Sequence, residues 1–206
     1  MYWSAPTAGF SLSSLPTNNR YEWSTLNPNS NGTVGNWIAP STATMTNGRG
    51  YIARASNGAI IPTALTTTFT GQPHNGQFSY QIYRGNYSGV DYDADLTNPN
   101  NLLTTAYDDN WNLVGNPYPS AIDAMEFINL NTATNNVKMV GAIWVWKHEF
   151  NPTSSISPFY QSFAYNYSSN DYIKFNAMGS SEPTLFTNGK IASGQGFMIN
   201  MSDELS

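Results

Sequence analysis

The 206-residue chain contains no cysteine, which removes disulfides and thiolate metal sites from consideration. Charge is almost as scarce. Only 10% of residues are charged, against roughly 25% in average globular proteins. Lys and Arg total eight and the net charge is −5. The basic residues are scattered, and with no basic stripe to neutralise phosphates, nucleic acid is not an expected partner. Anionic membrane surfaces fail on the same ground. No apolar run approaches the roughly 18 residues that span a bilayer, so membrane insertion is not expected either. Histidine occurs only twice, at positions 74 and 148, and no zinc-ligand spacing appears. Met1 is followed at once by Tyr2 and Trp3, with no basic and then apolar leader.

What the chain has instead is uncharged polarity and aromatic rings. Asn, Ser, Thr and Gly supply the polar surface, while 14% Phe, Trp and Tyr supply anchors for a core, so the chain is not a disordered one. Its length suits one all-β domain or two small ones. Cysteine-free β-proteins of this composition are common on bacterial cell surfaces, and a secreted or cell-surface setting is the expectation.

An internal repeat organises the chain. Tyr2-Trp3-Ser4-Ala5-Pro6 is a weak copy of Trp111-Asn112-Leu113-Val114-Gly115-Asn116-Pro117-Tyr118-Pro119-Ser120. Each copy leads to an aromatic-x-Trp pair, Tyr21-Glu22-Trp23 in the first and Trp144-Val145-Trp146 in the second. Each closes on Gly-x-Gly before apolar residues, at Gly48-Arg49-Gly50-Tyr51-Ile52 and Gly194-Gln195-Gly196-Phe197-Met198. The second copy carries more loop.

Strand signals dominate. They cover residues 50–55, the continuously apolar Ala142–Lys147, which reads as central in a sheet, and a last strand at 191–192 and 196–201 with Phe197, Ile199 and Met201 on one face. Thr66–Thr70 and Gln77–Tyr83 flank a turn-rich loop and read as a hairpin, its second arm alternating Phe78, Tyr80 and Ile82 against Ser79 and Gln81. One helix is expected after Ser120, where Ser120 and Asp123 make a capping-box-like start and Ala121, Met125 and Ile128 share a face. The matching place in the first copy, residues 11–16, suits a single helical turn. The expected fold is all-β, a jelly-roll-like β-sandwich with internal pseudo-duplication and one short helix. Residues 1–206 form one domain of two related halves, about 1–65 and 111–201, joined by the hairpin at about 66–83 and a loop. Because the chain opens inside one signpost and stops soon after another, it reads as a fragment of a larger protein.

The Trp111–Asp123 run, Ile143-Trp144-Val145-Trp146 and Ile191-Ala192-Ser193-Gly194-Gln195-Gly196-Phe197 resemble a module of large Bacteroidetes surface proteins. Gly48–Ile52 and Thr68–Gly71 fit the same pattern, so the likeness covers nearly the whole chain, and Gly115–Ser120 is its most specific part. Such modules lie upstream of the C-terminal sorting domain of type IX secretion. The resemblance implies export and surface attachment or release, with neighbouring domains in the parent protein, and it implies no catalytic mechanism. The sorting tail itself is not in this chain.

The candidate binding residues are aromatic. A pyranose lays its apolar face on a ring while amides and hydroxyls take its hydroxyl groups. Trp37 and Tyr92 lie in polar loops and are expected at the surface, and Asn116 and Tyr118 of the proline turn and Trp146 of the aromatic pair are the other candidate ligand contacts. Trp23, Trp111 and Trp144 read mainly as core, because repeat signposts usually pack. For Asn116-Pro117-Tyr118-Pro119 the plainer reading is a rigid turn, since two prolines fix the backbone and delete two donors. Asp91, Asp93 and Asp95 carry the alternating carboxylates of calcium loops, but Leu96 and Leu102 stand where an EF-hand needs glycine and glutamate. That leaves a solvated acidic loop or a looser calcium site completed by carbonyls of Asn98, Asn100 or Asn101. No cofactor other than calcium is expected.

Catalysis has little to work with. No Gly-x-Ser-x-Gly elbow is present. A glycosidase needs two poised carboxylates, and Asp123 is better spent on a helix cap. The expectation is a non-catalytic adhesion or carbohydrate-binding module that meets a polysaccharide or surface glycan. A structural spacer that presents a neighbouring domain is the alternative, and a glycan-active hydrolase is third. Burial of every tryptophan would favour the spacer; an exposed aromatic groove would favour glycan binding.

Overall fold

The computed structural model describes residues 1–15, 17–26, 37–54, 66–85, 110–132, 139–147 and 169–202. The strands are β1 (Tyr2–Trp3), β2 (Asn19–Trp23), β3 (Trp37–Ile38), β4 (Tyr51–Arg54), β5 (Trp111–Gly115), β6 (Ile122–Asp123), β7 (Met139–Trp146), β8 (Tyr172–Asn176), β9 (Gly179–Ser180), β10 (Lys190–Ile191) and β11 (Gly196–Met201). One α-helix, α1 (Ala124–Thr132), and 3₁₀ turns at Leu12–Ser14 and Ser169–Asp171 complete the described elements. The fold is all-β with antiparallel sheets and one short helix. No described helix is long and apolar enough to cross a membrane.

The duplication is present in the hydrogen-bond register. One sheet runs β1-β4-β2-β3, a second runs β5-β11-β7-β8-β9, and β10 and β6 form a separate two-stranded ladder. In the first, Ile52 pairs with Tyr2 on one side and Tyr21 on the other. In the second, Met198 pairs with Leu113 and Trp144. Trp23 then faces Trp37, as Trp146 faces Tyr172. Residue for residue, Tyr2 corresponds to Leu113, Tyr21 to Trp144, Trp23 to Trp146, Ile52 to Met198, and therefore Pro6 to Pro117. Among the described residues, each of the two larger sheets draws its strands from a single half, and the architecture is the expected all-β, sandwich-like one.

Alternation along each strand sorts the side chains into layers. Tyr2, Trp37, Ile52, Leu113 and Met198, joined by half-buried Tyr21, Trp23, Trp111, Trp144, Trp146 and Tyr172, form one cluster drawn from both sheets. The residues between them point the other way. Tyr51 and Ala53 pack with Phe10, Leu12, Leu15 and Met45, whereas Ile143, Val145, Phe197 and Ile199 pack with Ala124 and Ile128 of α1. The 3₁₀ turn and α1 thus cover equivalent faces of equivalent sheets. Because β7 and β11 are buried on both faces, their sequences read as continuously apolar.

The two halves meet about a pseudo-twofold seam. Isolated bridges join Trp3 to Gln195 and Arg49 to Val114, which are equivalent contacts. Ser4 N donates to Gly194 O at 2.7 Å, and Gly115 N donates to Gly48 O at 3.0 Å. This explains the Gly-x-Gly signposts. The first glycine of each takes a positive φ, 77° at Gly48 and 66° at Gly194, a region that favours glycine. The second has no room for a Cβ, which at Gly50 would lie 2.7 Å from Val114 O and at Gly196 2.9 Å from Tyr2 Cβ.

Two expectations change. Residues 66–83 are not a hairpin: apart from a bridge between Thr7 and Pro73 the segment joins no ladder. Its alternation is real, with Phe78, Tyr80 and Ile82 half-buried and their neighbours exposed. Side chains replace the partner strand: Tyr83 N donates to Asn112 Oδ1 at 2.9 Å and Asn112 Nδ2 donates to Tyr83 O at 2.8 Å. Helix α1 starts later than expected, capped by Asp123 rather than Ser120. Asp123 Oδ1 accepts from Met125 N and Glu126 N, both at 2.9 Å, the geometry an N-cap carboxylate provides.

Candidate functional site

The candidate binding residues fall into two groups. Trp37 and Trp146 lie in the aromatic layer, both against the ring of Tyr2, with centroids 5.9 and 5.6 Å away. Trp37 is 4% exposed, so it is a core residue and not a surface platform. The cause is its strand pairing with Trp23, whose ring meets it edge-on at 4.9 Å. Trp146 is half-buried and packs edge-on against Tyr172 at 5.3 Å. Tyr92 and the calcium candidates Asp91, Asp93 and Asp95 lie outside the described residues. Among the described residues no group of three or more His, Asp or Glu is placed to hold a metal ion.

Asn116 and Tyr118 stay together in the proline turn, with different roles. Asn116 is fully buried. Its Nδ2 donates toward the carbonyls of Ser120, Ala192 and Ile191 at 2.8, 3.0 and 3.2 Å, and its Oδ1 accepts from Tyr118 N at 2.9 Å. One side chain therefore ties the turn to the segment before Gly194, and no amide atom is left for a ligand. Asn116 is a structural hub rather than a ligand contact. Tyr118 is half-buried, and its hydroxyl donates to Gly76 O at 2.8 Å.

The residue that completes this site is His74, which nothing in Gln72-Pro73-His74-Asn75 marks in the sequence. Its backbone N donates to Pro6 O at 3.0 Å, and its Nδ1 bonds Pro117 O at 2.9 Å. Pro6 and Pro117 are the equivalent prolines of the two copies, so one histidine clasps both halves across the seam. A proline carbonyl can only accept, which assigns the hydrogen to Nδ1. Nε2 is buried and has no partner among the described residues. The ring stacks at a tilt on Phe78 (4.9 Å), which in turn meets Tyr118 (5.7 Å). Ser193 Oγ donates to Tyr118 O at 2.9 Å.

Chemically, this arrangement is a clasp with a small aromatic face. The turn's hydrogen-bonding groups are largely engaged, and the His74 imidazole is shielded, so what remains outward is the half-buried Tyr118 and Phe78 rings among exposed Asn75, Pro119 and Ser120. A shallow cleft of about 350 Å³ is lined elsewhere, by Ser11, Leu12, Asn18, Arg20 and Pro40 among others. Its cation is already committed, since Arg20 Nη2 donates to Asn18 Oδ1 at 2.6 Å and its Nε donates to Thr17 O.

Neither the curated proteins nor the solved structures contain a match to this chain. The whole chain, residues 1–206, matches the family described as a domain of unknown function (DUF8693), and the protein belongs to that family.

Proposed function

We propose that this chain is a non-catalytic structural module of an exported bacterial surface protein, a spacer that holds and presents neighbouring domains. The observation that carries the reading is the fate of the tryptophans. Trp37 is buried in the aromatic layer, Trp23, Trp111, Trp144 and Trp146 pack against it, and Trp3 packs on the neighbouring cluster. A glycan-binding face leaves such rings open as platforms; here Trp37 is buried and the other five are half-buried against the protein's own clusters. The resemblance of the Trp111–Ser120 run to modules upstream of sorting domains supports the exported, cell-surface setting.

Among the described residues, three acidic groups have structural uses as well. Glu22 lies 3.2 Å from Arg49, Glu182 lies 3.2 Å from Lys147, and Asp123 caps α1.

Carbohydrate binding is the second reading, carried by Tyr118, whose half-open ring is held rigid by its hydroxyl bond to Gly76 O. Glycan arrays probed with the folded chain, with and without calcium, separate the two. The spacer reading expects no saturable binding in either condition; binding that Tyr118→Ala abolishes would replace it with the second. Deleting the module from the parent gene tests the spacer directly. The neighbouring domain's activity in lysates is expected to persist while its antibody labelling on intact cells falls, and unchanged labelling would overturn the proposal.

A further inference from the structure

We infer that Asn75–Gly76 is a site of intramolecular succinimide formation, so that the clasp between the halves carries its own covalent ageing reaction. Asn75 is exposed, and Gly76 N donates to its Oδ1 at 2.8 Å. The main-chain nitrogen is thus held beside the carboxamide it has to attack. Gly76 is also exposed, at φ 84°, and no atom lies within 4 Å of the place where a Cβ would be. The nitrogen is unshielded and the turn has space to pivot.

The reaction needs only water. The Gly76 nitrogen bonds to Asn75 Cγ, the Cγ–Nδ2 bond breaks, and ammonia leaves carrying the proton lost from the Gly76 amide. Water then opens the imide at either carbonyl, giving aspartate or, by the other route, isoaspartate with the main chain running through the β-carbon. No oxidant, metal or enzyme is required. Loss of the amide proton drives the attack, so the rate rises with pH.

The other described Asn–Gly pairs lack this freedom. Gly48 and Gly189 are both buried. Gly48 O accepts from backbone Gly115 N at 3.0 Å across the seam and Gly189 O from backbone Ala124 N at 2.7 Å, whereas Gly76 O is tied by the Tyr118 side-chain hydroxyl in an exposed bond. A Cβ at Gly189 would meet the Phe175 ring at 2.8 Å, so that backbone has no room to swing. Asn116 is followed by proline, which has no amide proton to lose. Selectivity among chemically equal dipeptides therefore comes from the fold.

The consequence is local and irreversible. Isoaspartate at 75 lengthens the backbone by a carbon between His74, which clasps Pro6 and Pro117, and Gly76, whose carbonyl holds the Tyr118 hydroxyl. Both ties are displaced, and a negative charge appears beside them.

The test compares folded and denatured chain aged at mildly alkaline pH, with peptide mapping by mass spectrometry and enzymatic isoaspartate detection. In denaturant the peptides containing Asn47, Asn75 and Asn188 should convert at similar rates. In the folded chain Asn75 is expected to keep that rate while Asn47 and Asn188 slow at least tenfold. Asn75→Gln should remove the conversion. The aged chain should melt below fresh chain, whereas Asn75→Asp, which keeps the normal backbone, should melt close to it. Protection of Asn75 to the same degree as Asn47 and Asn188 would overturn the inference.

Discussion

Glu22 stands where the second half has Val145, and it is 1% exposed. Its Oε1 lies 3.2 Å from Arg49 Nη2, while Oε2 is buried without a partner among the described residues. Arg49 stands where the second half has Gln195. Tyr80 packs against neighbouring Gly48, and burial raises its phenol pKa, offset in part by Arg49. A buried pair of this kind contributes little net stability, yet loss of one partner strands the other charge. Arg49→Gln alone is therefore expected to cost about 3 kcal/mol in urea unfolding. The double change Glu22→Val with Arg49→Gln, which imports the second half's own solution, should return stability to within about 1 kcal/mol of the parent. A double variant no more stable than the single one would show that the pair is needed for another reason. Residue roles were harder to read than residue types. Trp37 sits beside Asn-rich loop sequence, and it is buried by its pairing with Trp23, a contact set by sheet register, and by the Tyr2 ring. Asn116 has the chemistry of a ligand contact, but two of the three carbonyls it serves lie 75 and 76 residues away.

At the scale of elements, α1 depends on Asp123. The Asp123 pKa is lowered first by its bond to Lys190 Nζ, at 2.8 Å, and then by the N–H groups it caps. A carboxylate whose pKa is lower in the folded state contributes stability above its ordinary range and loses it as pH falls through the folded value. The parent is therefore expected to lose helical signal and melting temperature below about pH 4. Asp123→Asn, with no charge to lose, should start lower at neutral pH and change less across the same window. Equal acid slopes would remove Asp123 from the account. This helix was visible in the sequence, but its start was misplaced because Ile122–Asp123 first pairs with β10 before the chain turns helical. The strands β4, β7 and β11 were legible from apolar runs bounded by glycine. The alternation of Phe78, Tyr80 and Ile82 was legible too, yet it did not imply a ladder. Burial of every second side chain needs only an extended segment on a packed surface, and here Asn112 supplies the hydrogen bonds.

For the whole molecule, the repeat in the sequence becomes a pairing of two like sheets, and the layer between them belongs to both. Tyr2, Trp37, Ile52, Tyr21 and Trp23 come from the first half, and Leu113, Met198, Trp111, Trp144, Trp146 and Tyr172 from the second. Polar ties cross the same layer. The Tyr2 and Tyr172 hydroxyls are hydrogen-bonded, and Trp23 Nε1 donates to Trp111 O at 2.7 Å. Separating the halves would expose aromatic rings that bury roughly 150–250 Å² each. Four or more per half approach or exceed the ~800 Å² per partner of a stable protein–protein interface. Neither half is then expected to persist alone, but each should complete the other. Residues 1–85 and 110–202, co-expressed as separate polypeptides, are expected to co-purify as a one-to-one complex with the thermal transition of a folded β-protein. Each expressed singly should aggregate or bind a hydrophobic dye. His74 lies in the first fragment and its acceptor Pro117 in the second, so His74→Ala should weaken the complex more than it destabilises the continuous chain. The continuous chain keeps its halves at high effective concentration, whereas the split pair depends on its contacts alone. Two fragments that fold independently and ignore each other would mean that the aromatic layer is not what joins the halves.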